Sequence, residues 1–251
     1  MKRLIIGPGS MIMFQFLGVL KKLSLQDQCK DLEEISAASI GALIGFFYVY
    51  TCGDVDRMLE MAVEAPLDKL AKVEVRNLMS KFGLIDLTEF ERYVDALCPM
   101  TFKELYDHNP IKLHVTTYNL VTDRTVYLSV DTAPDMKVSR AVRMSITVPL
   151  IMVPWFGKDG GLYLDGATVE HSPCHVFLGK TDVLEIRKVA PSTPQKRPSS
   201  LMKYLTQILY AFMRNQQKYN EFPRIDVECH INTFDFSLTR EKKIELYLSA
   251  C

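Results

Sequence analysis

The chain has 251 residues, 48% hydrophobic and 24% charged, which is enough for one large core without a disulfide staple or structural metal. Thirty basic and thirty acidic residues cancel, removing the electrostatic footprint of a nucleic-acid binder. The hydrophobic content excludes a disordered chain, and twelve scattered prolines exclude a coiled coil.

From the N-terminus, Arg3 to Ile6 predicts a short buried strand that stops at Gly7-Pro8-Gly9, and Met11 to Leu23 a buried helix. Lys2-Arg3 followed by apolar residues to Leu20 imitates a secretion leader. Gly7-Pro8-Gly9 and Gln15 interrupt it, and Lys21-Lys22 stands where small residues belong. No apolar run approaches the ~20 residues of a spanning helix. Six cysteines, Cys29, Cys52, Cys98, Cys174, Cys229 and Cys251, are far apart and form no CxxC pair. Reduced thiols in a cytoplasmic protein are the expectation.

Leu32 to Ala37 predicts a second strand, followed by Ser39-Ile40-Gly41 and a helix, Ala42 to Tyr50, apolar nearly all round. From Asp54 to Pro99 the periodicity is helical: Val55, Met58, Leu59 and Ala62 share one face, and Leu87, Phe90, Val94 and Leu97 another. Thr101 to Tyr106 adds a short helix, and the segment 54–107 is the candidate insertion or lid. Ile111 to Thr117 and Thr125 to Val130 predict a hairpin, and Lys137 to Thr147 a helix stopped by Pro149. Gly160 to Leu164 forms a strand ending at Asp165-Gly166-Ala167, and Val183 to Ile186 another. Lys188 to Ser199 reads as a loop. Ser200 opens a long helix with Leu201, Tyr204, Leu205, Ile208, Leu209, Phe212 and Met213 on one side. Ile225 to Ile231 and Glu241 to Leu248 supply a last strand and helix. This alternation predicts an α/β layered fold, and no repeat or clear boundary divides residues 1–251 into separate domains.

Three local features carry chemistry. Ala37-Ala38-Ser39-Ile40-Gly41 places a serine on a tight strand-to-helix turn, where a hydroxyl stands exposed beside the amide-rich start of a helix. The same residues also suit a plain helix cap. Gly7-Pro8-Gly9-Ser10 can present consecutive amides to an anion, or simply turn the chain. Asp165-Gly166 ends a strand and is also a common turn pair.

Taken in order, the three resemble the patatin-like phospholipases: a glycine-rich loop after the first strand, a G-x-S-x-G nucleophile turn and a later D-G-[GA]. Leu17-Gly18-Val19-Leu20 resembles the family's first-helix ending, Ile111 to Thr117 its central strand, and Arg143-Met144-Ser145-Ile146-Thr147-Val148-Pro149 its R-x-S-x-x-x-P segment. The resemblance covers nearly the whole chain and is most specific over Arg143–Ala167. It implies a three-layer α/β/α patatin-like fold with a central mixed, mainly parallel sheet. It further implies a lipid acyl hydrolase of the phospholipase A type with a Ser39–Asp165 dyad. Gly9, Ser10 and Met11 would supply the oxyanion amides, with Gly41, Gly166 and Arg143 in support. No cofactor or metal is expected, and the substrate is a phospholipid or other lipid ester. The chain departs from the family at Ala37, at Ile12 in place of a basic residue and at Met13 in place of a glycine. These departures keep open a catalytically silent, lipid-binding or scaffolding protein of the same fold.

Other readings stand beside these. Ser39, Asp165 and His230 follow the chain order of an α/β-hydrolase triad, with His171 and His175 also available. His171, Cys174 and His175 are clustered but lack a fourth metal ligand at suitable spacing. Arg143 suits a loop carboxylate, a lipid phosphate or a structural salt bridge. Leu150 to Phe156 suits an acyl pocket, a rim in peripheral contact with a membrane, or a core strand. Lys188, Lys196 and Arg197 would add weak attraction to anionic lipid.

Overall fold

The computed structural model describes residues 1–189, 197–200, 203–205, 207–208, 211, 221–228, 230–231 and 234–251. The elements in order are β1 (Arg3–Ile6), α1 (Met13–Leu25), β2 (Glu34–Ala38), α2 (Ile40–Tyr50), α3 (Val55–Glu64), α4 (Leu67–Leu70), α5 (Val75–Lys81), β3 (Gly83–Ile85), α6 (Thr88–Leu97) and α7 (Phe102–His108). They continue as β4 (Lys112–Asn119), β5 (Arg124–Leu128), α8 (Val138–Ser145), β6 (Leu150–Met152), β7 (Trp155–Phe156), β8 (Leu162–Asp165), β9 (Val183–Val189), β10 (Arg224–Glu228) and α9 (Arg240–Leu248). The long helix expected from Ser200 falls largely outside the described residues. No helix among them is long and apolar enough to cross a membrane.

The main sheet runs β10-β9-β1-β2-β4-β8-β7, with β5 also paired to β4. Strands β10, β9, β1, β2 and β4 are mutually parallel. β5 and β8 run antiparallel to β4, and β7 antiparallel to β8. The sheet is thus mixed but mainly parallel, and helices flank it. Alternation along β1 sorts the core onto two faces: Leu4 and Ile6 join the main cluster, while Ile5 packs with Cys174, Phe177 and Val183 on the other side. Helices α2 and α8 lie on the first face against β2 and β4, and α9 closes over α1.

One expectation fails inside 54–107. The stretch is helical except at Gly83-Leu84-Ile85, which forms β3 and pairs in parallel with β6, Gly83 opposite Leu150 and Ile85 opposite Met152. Phe82, in the left-handed region at φ 62°, ends α5 and makes the change of direction. Of the expected Ile225–Ile231 strand, β10 takes Arg224–Glu228, while His230 and Ile231 lie outside any strand.

α2 approaches β1 so closely that backbone oxygens occupy the space a side chain would need. A Cβ on Gly41 would lie 2.3 Å from the Ile6 carbonyl oxygen and 2.8 Å from that of Gly7. Alanine ordinarily stabilises a helix interior by ~1 kcal/mol over glycine. Here Gly41→Ala is expected to reverse the sign and destabilise the protein by about 2 kcal/mol through overpacking. Urea unfolding of variant and wild type checks this.

Candidate active site

The geometry of the site follows from one strand. β2 runs parallel to β4 and ends with Ala38 opposite Thr116. β8 runs antiparallel to β4 and ends with Asp165 opposite the next residue, Thr117. β5 spans Val115–Asn119 on the other side of β4, so β2 and β8 share a single edge and meet end to end. Ser39 leaves the tip of one strand and Asp165 forms the tip of the other. The chain then turns over β4 at Gly166, where a Cβ would lie 2.5 Å from the Thr116 carbonyl oxygen.

The end of α8 clamps both tips. The Ser39 amide donates to Ser145 Oγ at 2.9 Å, and Ser145 Oγ donates to the Thr116 carbonyl at 2.7 Å. The Asp165 amide donates to the Thr147 carbonyl at 2.8 Å, and Thr147 Oγ1 donates to the Arg143 carbonyl at 2.8 Å. Arg143 is itself buried. Its guanidinium reaches Glu91 at 2.8 Å and Asp86 at 3.5 Å, and stacks 4.7 Å from the Trp155 ring centre. Of the three roles open to Arg143, the structure shows the salt bridge, linking α8 to α6. Sequence reasoning missed Ser145 and Thr147 as individual residues, although both stand inside the segment it singled out.

Ser39 holds φ 57°, a left-handed conformation unusual for a residue with a side chain, and Ser10 holds φ 51°. Next to Ser10, the amides of Gly9, Ser10 and Met11 take no acceptor among the described residues, while the neighbouring Gly7 amide is spent on the Ile186 carbonyl at 3.1 Å. Ile12 is fully buried in the core and Met13 lines the cavity beside the loop. The backbone donors are therefore present whatever the side chains at these two positions.

Asp165 is buried. Its Oδ1 accepts from the Ala167 amide at 2.8 Å, and its Oδ2 is buried with no hydrogen-bond partner among the described residues. Burial pushes its carboxyl up to about 7, against the opposing influence of the Ser39 hydroxyl and the Ala167 amide. Ser39 thus stands beside the carboxylate, yet short of a complete hydrogen bond. Burial pushes the His171 imidazole down to about 4, and Lys188 and Arg187 act in the same direction.

A cavity of about 1250 Å³, counting its open mouth, begins at Pro8 to Met11, Ser39, Asp165 and His171. It extends along apolar side chains, among them Leu43, Phe47, Met61, Leu67, Phe90, Val94 and Met152. Helices α3, α4 and α6 contribute much of its wall, all from the segment 54–107. His230, by contrast, is exposed and bonded to Glu228 at 3.0 Å. His171 makes no hydrogen bond to Ser39 or Asp165, and its Nδ1 is unpartnered. Among the described residues the potential metal cluster consists of Glu170, Cys174 and His175, so Glu170 takes the place of His171 in the group read from sequence. Glu170 is already engaged by the His175 ring at 2.6 Å and amide at 3.1 Å, and by the Tyr127 hydroxyl.

Comparison with known proteins gives three kinds of match. A family model described as patatin-like phospholipase matches residues 4–178. Among curated proteins, the uncharacterized protein R571 of Acanthamoeba polyphaga mimivirus is 28% identical over 187 residues, covering 70% of this chain and 61% of that protein. The probable lipid hydrolase 463L of Invertebrate iridescent virus 6 is 22% identical over 245 residues, covering 94% of this chain and 80% of that protein. Among solved structures, VipD from Legionella pneumophila shares the fold, with a TM-score of 0.57 and 15% identity over 99% of this chain and 65% of its own. The chain therefore spans less than two thirds of the mimivirus protein and of VipD.

Because Asp165 titrates higher in the fold than in an unfolded chain, the native state holds the extra proton between about pH 4 and about pH 7, and Asp165 erodes stability as pH rises through that window. His171, lowered to about 4, acts in the opposite sense: its contribution is lost as pH falls below its ordinary value. The two partly cancel in the wild type, so the difference between variants is the informative quantity. Asp165→Asn is expected to gain stability over wild type, by a few kcal/mol, as pH rises from about 4 to about 7, and to keep a constant advantage above that. Denaturant unfolding of both proteins across this range checks it.

Proposed function

We propose that this chain, which belongs to the patatin-like phospholipase family, is a lipid acyl hydrolase that cleaves ester bonds with Ser39 as nucleophile and Asp165 as base. The observation that carries the reading is the end-to-end meeting of β2 and β8 on one edge of β4, at the head of an apolar cavity. The similarity to a probable lipid hydrolase of Invertebrate iridescent virus 6 supports the same reaction class.

In this reading Ser39 Oγ attacks the ester carbonyl while the Asp165 carboxylate takes its proton. The amides of Gly9, Ser10 and Met11 receive the negative charge of the tetrahedral intermediate, each such donor contributing about 2.7–4 kcal/mol. The intermediate collapses, the proton passes from Asp165 to the departing alcohol, and the acyl group remains on Ser39. Water then attacks the acyl-enzyme with Asp165 again as base, releasing the fatty acid and restoring the serine. A carboxylate is an inefficient base when its conjugate acid is strong. Burial corrects this by bringing Asp165 to about 7, near working pH. No histidine is required, since His230 is exposed and paired with Glu228.

The cavity wall supports a long aliphatic acyl chain, and a glycerophospholipid ester is the substrate class proposed. Ile12 and Met13 leave the loop amides free, which favours an active enzyme over a silent scaffold of the same fold.

A fluorophosphonate probe should label the wild type and fail to label Ser39→Ala. Absence of labelling in folded wild type would establish the non-catalytic alternative. Asp165→Asn should remain folded and lose about 10³-fold or more in kcat. In the wild type, kcat/KM should fall as pH drops through about 7, because only the ionised carboxylate accepts a proton. Val94→Trp, which puts an indole into the cavity wall on α6, should lower the long-chain to short-chain ester kcat/KM ratio by about tenfold. Kinetics on a series of acyl esters measures this ratio.

A further inference from the structure

Helix α5 is turned inside out. Val75 and Met79 stand four apart on one face of α5, the spacing of a core-facing helix, and Phe82 follows at its left-handed end. Yet their relative exposures are 65%, 86% and 57%, while polar Asn77 is buried on the inner side. Phe156, 54% exposed on β7, brings its ring to 6.4 Å from that of Phe82. Leu150, at the start of β6 and opposite Gly83 of β3, is exposed as well. Apolar side chains on separate elements thus form one exposed patch, and a contiguous patch of this kind marks an interaction surface.

The patch lies on the same lobe that contributes much of the cavity wall. α4, whose Leu67 and Leu70 line the cavity, precedes α5 by a short link, and β6 runs from exposed Leu150 to Met152 in the cavity wall. The charges around it are unevenly engaged. Glu74 is paired with Arg76 at 3.2 Å and Asp86 with Lys81 at 2.9 Å, whereas Asp159 only accepts from the neutral Tyr163 hydroxyl at 2.6 Å, and exposed Asp68, beside Lys69, has no salt bridge among the described residues. Lys69, Lys72 and Lys158 are exposed and have no carboxylate partner among the described residues. Apolar rings flanked by unpaired lysines, Lys72 beside Val73 and Lys158 two residues after Phe156, suit the boundary between anionic headgroups and acyl chains.

We infer that the α5–β7 patch docks this chain on an anionic phospholipid surface, with Met79, Phe82 and Phe156 inserted among the acyl chains and Lys69, Lys72 and Lys158 at the headgroups. This rests on the lipid-hydrolase reading, for which it supplies the route between bilayer and cavity. The test is sedimentation with vesicles of phosphatidylcholine mixed with phosphatidylglycerol, alongside hydrolysis of soluble p-nitrophenyl butyrate. None of the three apolar residues lines the cavity, so Met79→Ser/Phe82→Asn/Phe156→Ser should hydrolyse the soluble ester as wild type does. The asparagine suits the left-handed backbone at position 82. Its partitioning onto mixed vesicles should fall by about tenfold for each ring removed. Lys72→Glu/Lys158→Glu should bind mixed vesicles less well and vesicles of phosphatidylcholine alone unchanged. Undiminished sedimentation of the triple variant, or a wild type that ignores vesicles, overturns the inference. So does a wild-type dimer that the triple variant dissolves, which would make the patch an interface between copies. Failure of wild type on the soluble ester, with vesicle binding intact, would instead strike at the hydrolase reading alone.

Discussion

The structure depends on a shared edge. A β-strand offers one ladder of hydrogen bonds on each side, and β5 takes one side of β4. On the other side β2 and β8 approach from opposite directions and run out of partner at Thr116 and Thr117. Neither can continue, so both chains must turn off the sheet at the same place. Ladder register is a rigid specification, since a slip of one residue would turn every side chain to the opposite face. Ser39 and Asp165, far apart in sequence, are therefore placed by backbone pairing rather than by side-chain reach. Ser145 and Thr147 then fix the two amides at the tips, and the Arg143 ion pairs anchor that segment to α6.

This arrangement carries costs that a merely stable protein would avoid. A left-handed serine, a left-handed residue in the glycine loop and a buried carboxylate oxygen without a partner each lower stability. Ser10, Ser39 and Asp165 all line one cavity, although other left-handed residues and unpartnered buried polar atoms occur elsewhere in the fold. Asp165 and His171 show the same principle electrostatically. Burial drives the acid up and the base down, so it favours the neutral form of both. Asp165 ends near neutrality, poised to exchange a proton. His171 ends far from it, an uncharged ring in the wall.

Much of this was legible in the sequence, and the rest was hidden for definite reasons. The glycine loop, the serine turn and Asp165-Gly166 are short-range signals, written in residues whose backbone freedom or small size is itself the requirement; Gly41 and Gly166 show it, each facing a carbonyl oxygen where a Cβ would sit. The pairing of β3 with β6 was not legible. Three residues carry no periodicity, and the partner strand lies far along the chain. The apolar stripes on α3 and α6 were visible but ambiguous. A helix that packs on a core and one that lines an apolar cavity present the same pattern, and only the volume left between α3, α4, α6 and the sheet separates the two. Ser145 and Thr147 were overlooked because their work is done through hydroxyl and carbonyl groups that any loop possesses. The α5 stripe is the inverse case: its spacing predicts burial, and tertiary context leaves it in water.

In the proposed reaction the apolar cavity would tie the chemistry to substrate size. The Asp165 carboxylate owes its raised pKa to exclusion from solvent, and an acyl chain threaded along α3 and α6 excludes water further. In that reaction a bound long chain would make the dipoles of the loop amides more effective by lowering the local dielectric. A short ester would leave water beside the carboxylate and forgo part of this gain. Chain length would then be sensed in kcat as well as in KM, because remote apolar binding would alter the groups proposed to perform the reaction. That coupling would need no moving part: it would follow from a buried acid set in the wall of an apolar cavity.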